Sequence, residues 1–365
     1  MPVDDWRERR RGFYLKTDIL LPDGLLRQLA ALNVRDALER CAGLASASAR
    51  VLNEPIVSVT PCQNQGTFHL VHEVLLSDGA RLVARSSSSR VFCSDSSFFL
   101  DAWAQARMPS LGLPSLTVLH VDTSQDILPF PWMLVETAPG RCLASLSDDE
   151  LDNSTVLQET GQALRKLHEV EAQKYGPVEA RLLGNGEPPT GPFERWSDYI
   201  FNCLEEHLAA AVKCGFLDPR ECINVFRAMQ DRRELIDQMP SRFLHGDPGN
   251  QNIFFRSMNV SALIDWEDAV CGDPLYDVAF WASFHPSRRW KSFFSGYGTS
   301  LTEERDAIRF ALYYTRITLA KILHRRRFGY ADRPGRPTSR ARMQEAIGML
   351  LNANISSIHE RFIAR

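Results

Sequence analysis

The stretch from Arg242 to Trp266, RFLHGDPGNQNIFFRSMNVSALIDW, constrains this chain more than any other. Its short apolar groups, Phe243-Leu244, Ile253-Phe254-Phe255 and Ala262-Leu263-Ile264, have the length and composition of strands. Polar residues sit at their ends, with Asp247 and Asn252 between the first two groups and Asp265 after the third. The spacing predicts a rigid hairpin-like frame whose loops present two carboxylates and an amide. Taken alone, the tetrapeptide Asp247-Pro248-Gly249-Asn250 is ordinary turn chemistry. A turn does not explain the larger pattern: H-G-D-x-x-x-x-N, then I-D-W twelve residues on, then G-D-P-x-x-D from Gly272 to Asp277.

A chain of 365 residues exceeds the usual reach of one core, so two lobes are expected. The formal charge of -3 gives no overall pull toward nucleic acid or an anionic membrane. The eight cysteines are scattered without a C-x-x-C pair, which argues against a structural zinc site and for reduced thiols in the cytoplasm. The charged opening from Asp4 to Arg11 and the interrupted apolar patch from Ile19 to Leu26 do not read as a signal peptide, and no apolar run is long enough for a membrane span.

Leu25 to Leu52 has helical spacing. Phe68 to Val74 and Leu82 to Arg85 read as strands joined at Ser77-Asp78-Gly79, followed by a helix from Ser97 to Met108 that Pro109 ends. A strand at Thr117 to His120 precedes the apolar run Trp132 to Glu136, which Pro139-Gly140 closes. Beyond it the pattern turns helical, over Leu157 to Glu171, Glu194 to Lys213 and Pro219 to Gln238. The expected organisation is an N-lobe over 1–135, a connection over 136–140 and a helical C-lobe over 141–365.

Phosphoryl transfer from a nucleotide needs a carboxylate to orient the acceptor hydroxyl and oxygen ligands to fix Mg ions between the phosphates. Asp247 and Asn252 supply both from one loop, and Asp265 arrives from the next strand as an anionic ligand. This constellation resembles the catalytic segment of the aminoglycoside phosphotransferase and choline kinase group, relatives of protein kinases. The resemblance implies a bilobal α+β fold of the protein-kinase type, a small-molecule O-kinase using ATP (or GTP) and Mg2+, and a hydroxylated small-molecule acceptor. It implies that His245 and Gly246 begin the catalytic loop, that Asp247 is the base, that Asn252 and Asp265 bind Mg, and that Asp277 supports the loop. Asp273 and Asp277 also read as helix caps, the better reading for Asp273. The resemblance extends to GQALRKLH, Gly161 to His168, in which His168 reads as packing, and to Asp101, placed where the family's helix acid pairs with the strand Lys. It makes Leu134 to Pro139 the hinge, with backbone groups of Glu136 and Ala138 at the adenine edge. Within the group, Val83 to Pro114 and the loop before Trp196 are most similar to the hygromycin B kinase branch.

The sequence departs from that pattern in two places. Arg85 stands where the phosphate-binding Lys is expected; Arg keeps the charge and can fork to phosphate or to Asp101, while the bland alternative is a surface arginine. The loop meant to cover the phosphates, Pro61 to Thr67, has only Gly66, leaving backbone amides and side chains such as Gln65 for the task. These departures motivate an alternative, a nucleotide-binding regulatory module without transfer. On the acceptor side, family members acting on aminoglycosides need an acidic pocket. The segment Lys321 to Arg342 is instead basic, either as a solvated face or as an acceptor wall for neutral or anionic substrates, while Glu267 and Asp268 keep a cationic substrate in play.

Overall fold

The structure, a computed structural model, describes residues 34–63, 65, 69–87, 97–184, 186–299, 301, 303–327, 329–332 and 337–352. Gly66 and the start of the first expected helix lie outside the described residues. Helix α1 (Val34–Leu52) precedes β1 (Ile56–Pro61), β2 (His69–Leu76) and β3 (Arg81–Ser87). The β2–β3 turn uses Asp78, whose Oδ1 accepts from the Ala80 N–H at 2.8 Å, and Gly79 at φ +88°. Helix α2 (Ser97–Arg107), β4 (Val118–Asp122) and β5 (Trp132–Glu136) complete an antiparallel sheet of order β1-β2-β3-β5-β4.

Strand alternation decides what this sheet shows to the rest of the molecule. Leu82, Ala84 and Leu134 point into a core shared with Leu44 and Ala47 of α1. Their neighbours Val83, Arg85, Met133 and Val135 therefore face the other way, into a cleft. Below the sheet, Phe98, Met133, Val135 and Ala262 form a bridging cluster with Phe254 and Ile264 packed against it.

Past the connection, β6 (Arg141–Cys142) joins a three-stranded sheet with β9 (Ile253–Arg256) and β10 (Asn259–Leu263). Between them run α3 (Asp148–Asp152), α4 (Val156–Leu167), β7 (Gly176–Pro177), α5 (Trp196–Ile200), α6 (Leu204–Lys213), α7 (Pro219–Gln230), α8 (Arg233–Ile236) and β8 (Arg242–Leu244). Strand β11 (Val270–Gly272) pairs with both β7 and β8. Helices α9 (Leu275–Ala282), α10 (Trp290–Tyr297), α11 (Glu304–Arg327) and α12 (Ser339–Leu351) finish the helical part, which holds the larger apolar core. The architecture is α+β, a sheet-rich N-terminal part on a helical C-terminal part.

Three expected helices are shorter than their periodicity. The one over 194–213 is two helices, interrupted at Cys203 with φ +53°. The cause is remote: buried Arg316 of α11 donates from Nε to Ile200 O (2.8 Å) and from Nη2 to Asn202 O (2.9 Å), engaging carbonyls at the break. The helix expected to run to Gln238 stops at Gln230 and resumes as α8. Helix α4 ends at Leu167, where His168 turns toward Tyr297 and Asp277. Among the described residues no helix is long and apolar enough to cross a membrane, and the described cysteines are free.

Candidate active site

The loop after β8 is held from beneath by one buried carboxylate. Asp277, in the first turn of α9, accepts the His245 N–H at 2.7 Å on Oδ2 and the Gly246 N–H at 2.9 Å on Oδ1. His168 approaches Oδ2 through Nε2 at 3.1 Å, and its Nδ1 lies 2.8 Å from the Tyr297 hydroxyl. A charged acceptor serving several buried donors is strong where neutral contacts would be modest. Asp277 is thus a brace for the loop as well as a first-turn helix acid, and His168 belongs to the brace.

Gly246 has φ +78°, and a Cβ there would sit 1.8 Å from Asp268 O, so no larger residue fits. The His245 ring is fully buried, tilted over Trp266 at a centroid distance of 4.6 Å, with Nε2 3.1 Å from Ile264 O. Burial pushes its pKa down, with Asp277 and Asp265 opposing. His245 was expected in the catalytic set; it is not among the residues lining the cleft, and its ring packs against Trp266 instead. The physical reason is the Trp266 face, which claims the imidazole for the core.

Asp247 and Asn252 share that loop. Asn252 Nδ2 donates to Asp247 O at 3.0 Å, and Ile264 N–H donates to Asn252 O at 3.0 Å, tying the loop to β10. With its nitrogen engaged, the Asn252 side chain has its oxygen as the atom that could meet a cation. Asp265 adopts a left-handed conformation, φ +67° and ψ 62°, tolerable for Asp and a turn that ends the strand. Its Oδ1 lies 2.7 Å from Arg85 Nη2.

Arg85 is no surface arginine. Its second prong, Nη1, meets Asp101 Oδ2 at 2.6 Å, and Asp101 Oδ1 accepts the Trp266 N–H at 3.0 Å. Burial works against the guanidinium charge, but Asp101, Asp265 and Glu267 outweigh it and raise the pKa. One fork therefore links the sheet, α2 and the Asp265 turn. His69, unremarked in the sequence, joins them: Nδ1 lies 3.3 Å from Arg85 Nη2 and 3.1 Å from Glu267 Oε2. Ligand atoms of His69, Asp265 and Glu267 all lie within 4.8 Å of one another, a grouping that can hold a cation. A carboxylate, an amide oxygen and a second carboxylate nearby suit a hard ion such as Mg2+.

All of this opens on one cavity of about 980 Å³. Gln65, Arg85, Asp101, Glu136, Ala138, Asp247, Asn252, Asp265, Glu267 and Asp268 line it, so the structure brings together the described residues expected at the site, except His245. Two have less to offer than expected. The Gln65 amide donates to Cys62 O (2.7 Å) and Val71 O (3.0 Å) and accepts from Val71 N–H (2.8 Å), bracing the β1–β2 connection. The Glu136 N–H is taken by Thr117 O at 3.0 Å, which leaves its carbonyl as the group for an adenine edge. Asp273 acts as a partial cap, accepting from Leu275 N–H at 3.1 Å, and also binds Tyr313 Oη (2.7 Å) and Arg309, fastening α11 to the catalytic segment. Lys321 of α11 also lines the cavity, close enough for the Asp247 charge to act on it.

Known proteins resemble this chain in sequence and in fold. Residues 72–311 match the family model of the phosphotransferase enzyme family. The chain is 24% identical over 197 residues to hygromycin-B 4-O-kinase of Escherichia coli (52% of this chain, 54% of that protein). It is 24% identical over 178 residues to aminoglycoside 3'-phosphotransferase of Enterococcus faecalis (46% and 58%). The chain thus spans just over half the length of these curated relatives. Among solved structures, a thermostable mutant of aminoglycoside phosphotransferase APH(4)-Ia in ternary complex with ADP and hygromycin B superposes with a TM-score of 0.61 at 18% identity, covering 84% of this chain and 98% of that one. The fold is therefore kinase-like, and the chain belongs to the phosphotransferase enzyme family.

Proposed function

We propose that this protein transfers the γ-phosphoryl group of ATP to a hydroxyl of a small molecule. The reading rests on one observation above all: Asp247, Asn252 and Asp265, scattered in sequence, line a single cavity beside the Arg85 fork. At about 980 Å³ the cavity lies at the upper end for ligand sites, as expected where two substrates meet. Adenine lies against Val83, Met133 and Val135, with the Glu136 carbonyl and the Ala138 N–H at its edge, and GTP would meet the same backbone groups. Arg85 turns its charge on the phosphates. Asn252 and Asp265 would hold Mg2+, which would neutralise phosphate charge. Asp247 orients the acceptor hydroxyl for in-line attack: the new O–P bond forms as the bond to the β-phosphate oxygen breaks, ADP leaves, and the hydroxyl proton passes to the Asp247 carboxylate. Glu267 and Asp268 flank the acceptor. A kinase of this kind, in the cytoplasm where ATP is supplied, acts in antibiotic resistance or in small-molecule metabolism.

The test is ADP release with a panel of hydroxylated acceptors, together with a mass gain of one phosphate on the acceptor. Activity lost in Asp247→Ala with nucleotide binding retained supports the reading. Nucleotide binding without transfer to any acceptor, in wild type and variant alike, replaces it with the regulatory-module alternative.

A further inference from the structure

The cavity that holds Asp247 also carries two cations, Lys321 and Arg342, that form no ion pair with a carboxylate among the described residues. Lys321 Nζ donates to Ser283 Oγ at 2.5 Å, and Arg342 Nη1 donates to Ser283 O at 3.1 Å. Ser283 is the C-cap of α9, so both cations sit at the negative end of that helix. Lys321 also lies over Phe280 and Phe284, with Nζ 4.3 and 3.0 Å from the ring centroids. Among the described residues neither Lys321 nor Arg342 forms an ion pair with a carboxylate. Of the other acids lining the cavity, Asp148 pairs with Arg289 and Asp332 accepts the Ser339 N–H and hydroxyl, while Asp247 is the one whose charge acts on Lys321. Helix-end and π-face contacts offset only part of the desolvation of two neighbouring like charges. Burial pushes the Lys321 pKa well down and Arg342 pushes it further, with the Asp247 carboxylate opposing both.

We propose that Lys321 and Arg342 form a seat for an anionic group, a carboxylate or a phosphate monoester, on an acceptor whose hydroxyl faces Asp247. This rests on the kinase reading for the hydroxyl but not for the seat. The bound anion adds counter-charge beyond what the one Asp247 carboxylate offers two cations, and Asp247, Lys321 and Arg342 line the same cavity. A polycation would instead meet two positive groups, so the acceptor class differs from that named for the hygromycin B relative.

The experiment uses the full chain with Mg2+ and AMP-PNP and four probes of one ring type: glucose, glucosamine, glucuronate and glucose 6-phosphate, titrated by calorimetry. Phosphate transfer from ATP to each probe, and its loss in Asp247→Ala, are measured alongside by ADP release, so failure of the kinase reading is seen separately from failure of the seat. The expected result is that glucuronate or glucose 6-phosphate binds about tenfold or more tightly than glucosamine, the difference of one charge-assisted contact. The stronger of the two tells carboxylate from phosphate. Lys321→Met, which keeps the stem over the two phenylalanines, should remove that preference, and Lys321→Arg should restore most of it. Glucosamine binding as tightly as the anionic probes overturns the proposal, as does silence of both anionic probes. A preference unchanged in folded Lys321→Met and Arg342→Gln overturns it too, leaving Lys321 as a neighbour that tunes Asp247.

Discussion

The floor of the cleft and its acceptor wall solve opposite electrostatic problems. On the floor each charge has its answer nearby: Arg85 between Asp101 and Asp265, and Asp277 beneath two backbone N–H groups and His168. On the wall, Lys321 and Arg342 rest on a helix end and aromatic faces, and among the described residues neither forms an ion pair with a carboxylate. A floor whose charges are paired in place is preorganised, whereas a wall with unpaired cations is where the proposed acceptor would add contacts of its own.

That contrast can be broken by substitution. Asp247→Asn should cut kcat by about 10²–10⁴-fold for every acceptor, the range for loss of a general base, with little change in nucleotide binding; steady-state rates across several acceptors check it. An effect confined to acceptors of one charge would move Asp247 from floor to wall. Asp277→Ala strands two buried N–H groups and should cost about 3 kcal/mol of stability, read by urea unfolding, as well as activity. Arg85→Met should raise KM for ATP roughly tenfold to a hundredfold, and Arg85→Lys should recover only part of this, because a compact ammonium lacks the planar two-pronged reach with which Arg85 spans Asp101 and Asp265. A full recovery in Arg85→Lys would mean that the fork to Asp265 is dispensable.

The helices carrying the wall supply a pH test. His207 of α6 is buried beside Arg316, and burial followed by that charge pushes its pKa down to about 2. The folded state thus keeps His207 unprotonated while the unfolded chain, with the ordinary value of 6.5, takes up a proton below that pH. Stability present above pH 6.5 is therefore lost as pH falls, by about 2 kcal/mol from this group at pH 5. Denaturant melts at pH 7 and pH 5 should show the loss, and His207→Gln should flatten it.

Much of the floor was legible in sequence because its parts are local. One loop carries Asp247 and Asn252, the next strand end carries Asp265, and turn chemistry and alternation fix how far apart they lie. Arg85 and Asp101 were legible through resemblance rather than spacing, and their 2.6 Å pairing is geometry that no pattern in the strand announces. His69 escaped because a single histidine opening a strand carries no motif. His245 was over-read, since the loop motif does not say that Trp266 will cover its ring.

What the sequence by itself determined is the polar segment from Arg242 to Trp266 and the order of sheet then helices, because short-range periodicity and fixed spacings encode them directly, and the family, through resemblance of its motifs to known proteins. What only the tertiary structure decided is which distant groups meet: Arg316 breaking the 194–213 helix, His168 joining Asp277, and Lys321 arriving beside Asp247. Those encounters join elements far apart in the chain: α11 to the α5–α6 break, the end of α4 to α9, and α11 to the loop after β8, while Arg309 and Tyr313 of α11 bind Asp273. Packing of this kind is settled by the sum of many long-range contacts, which no local stretch of residues records.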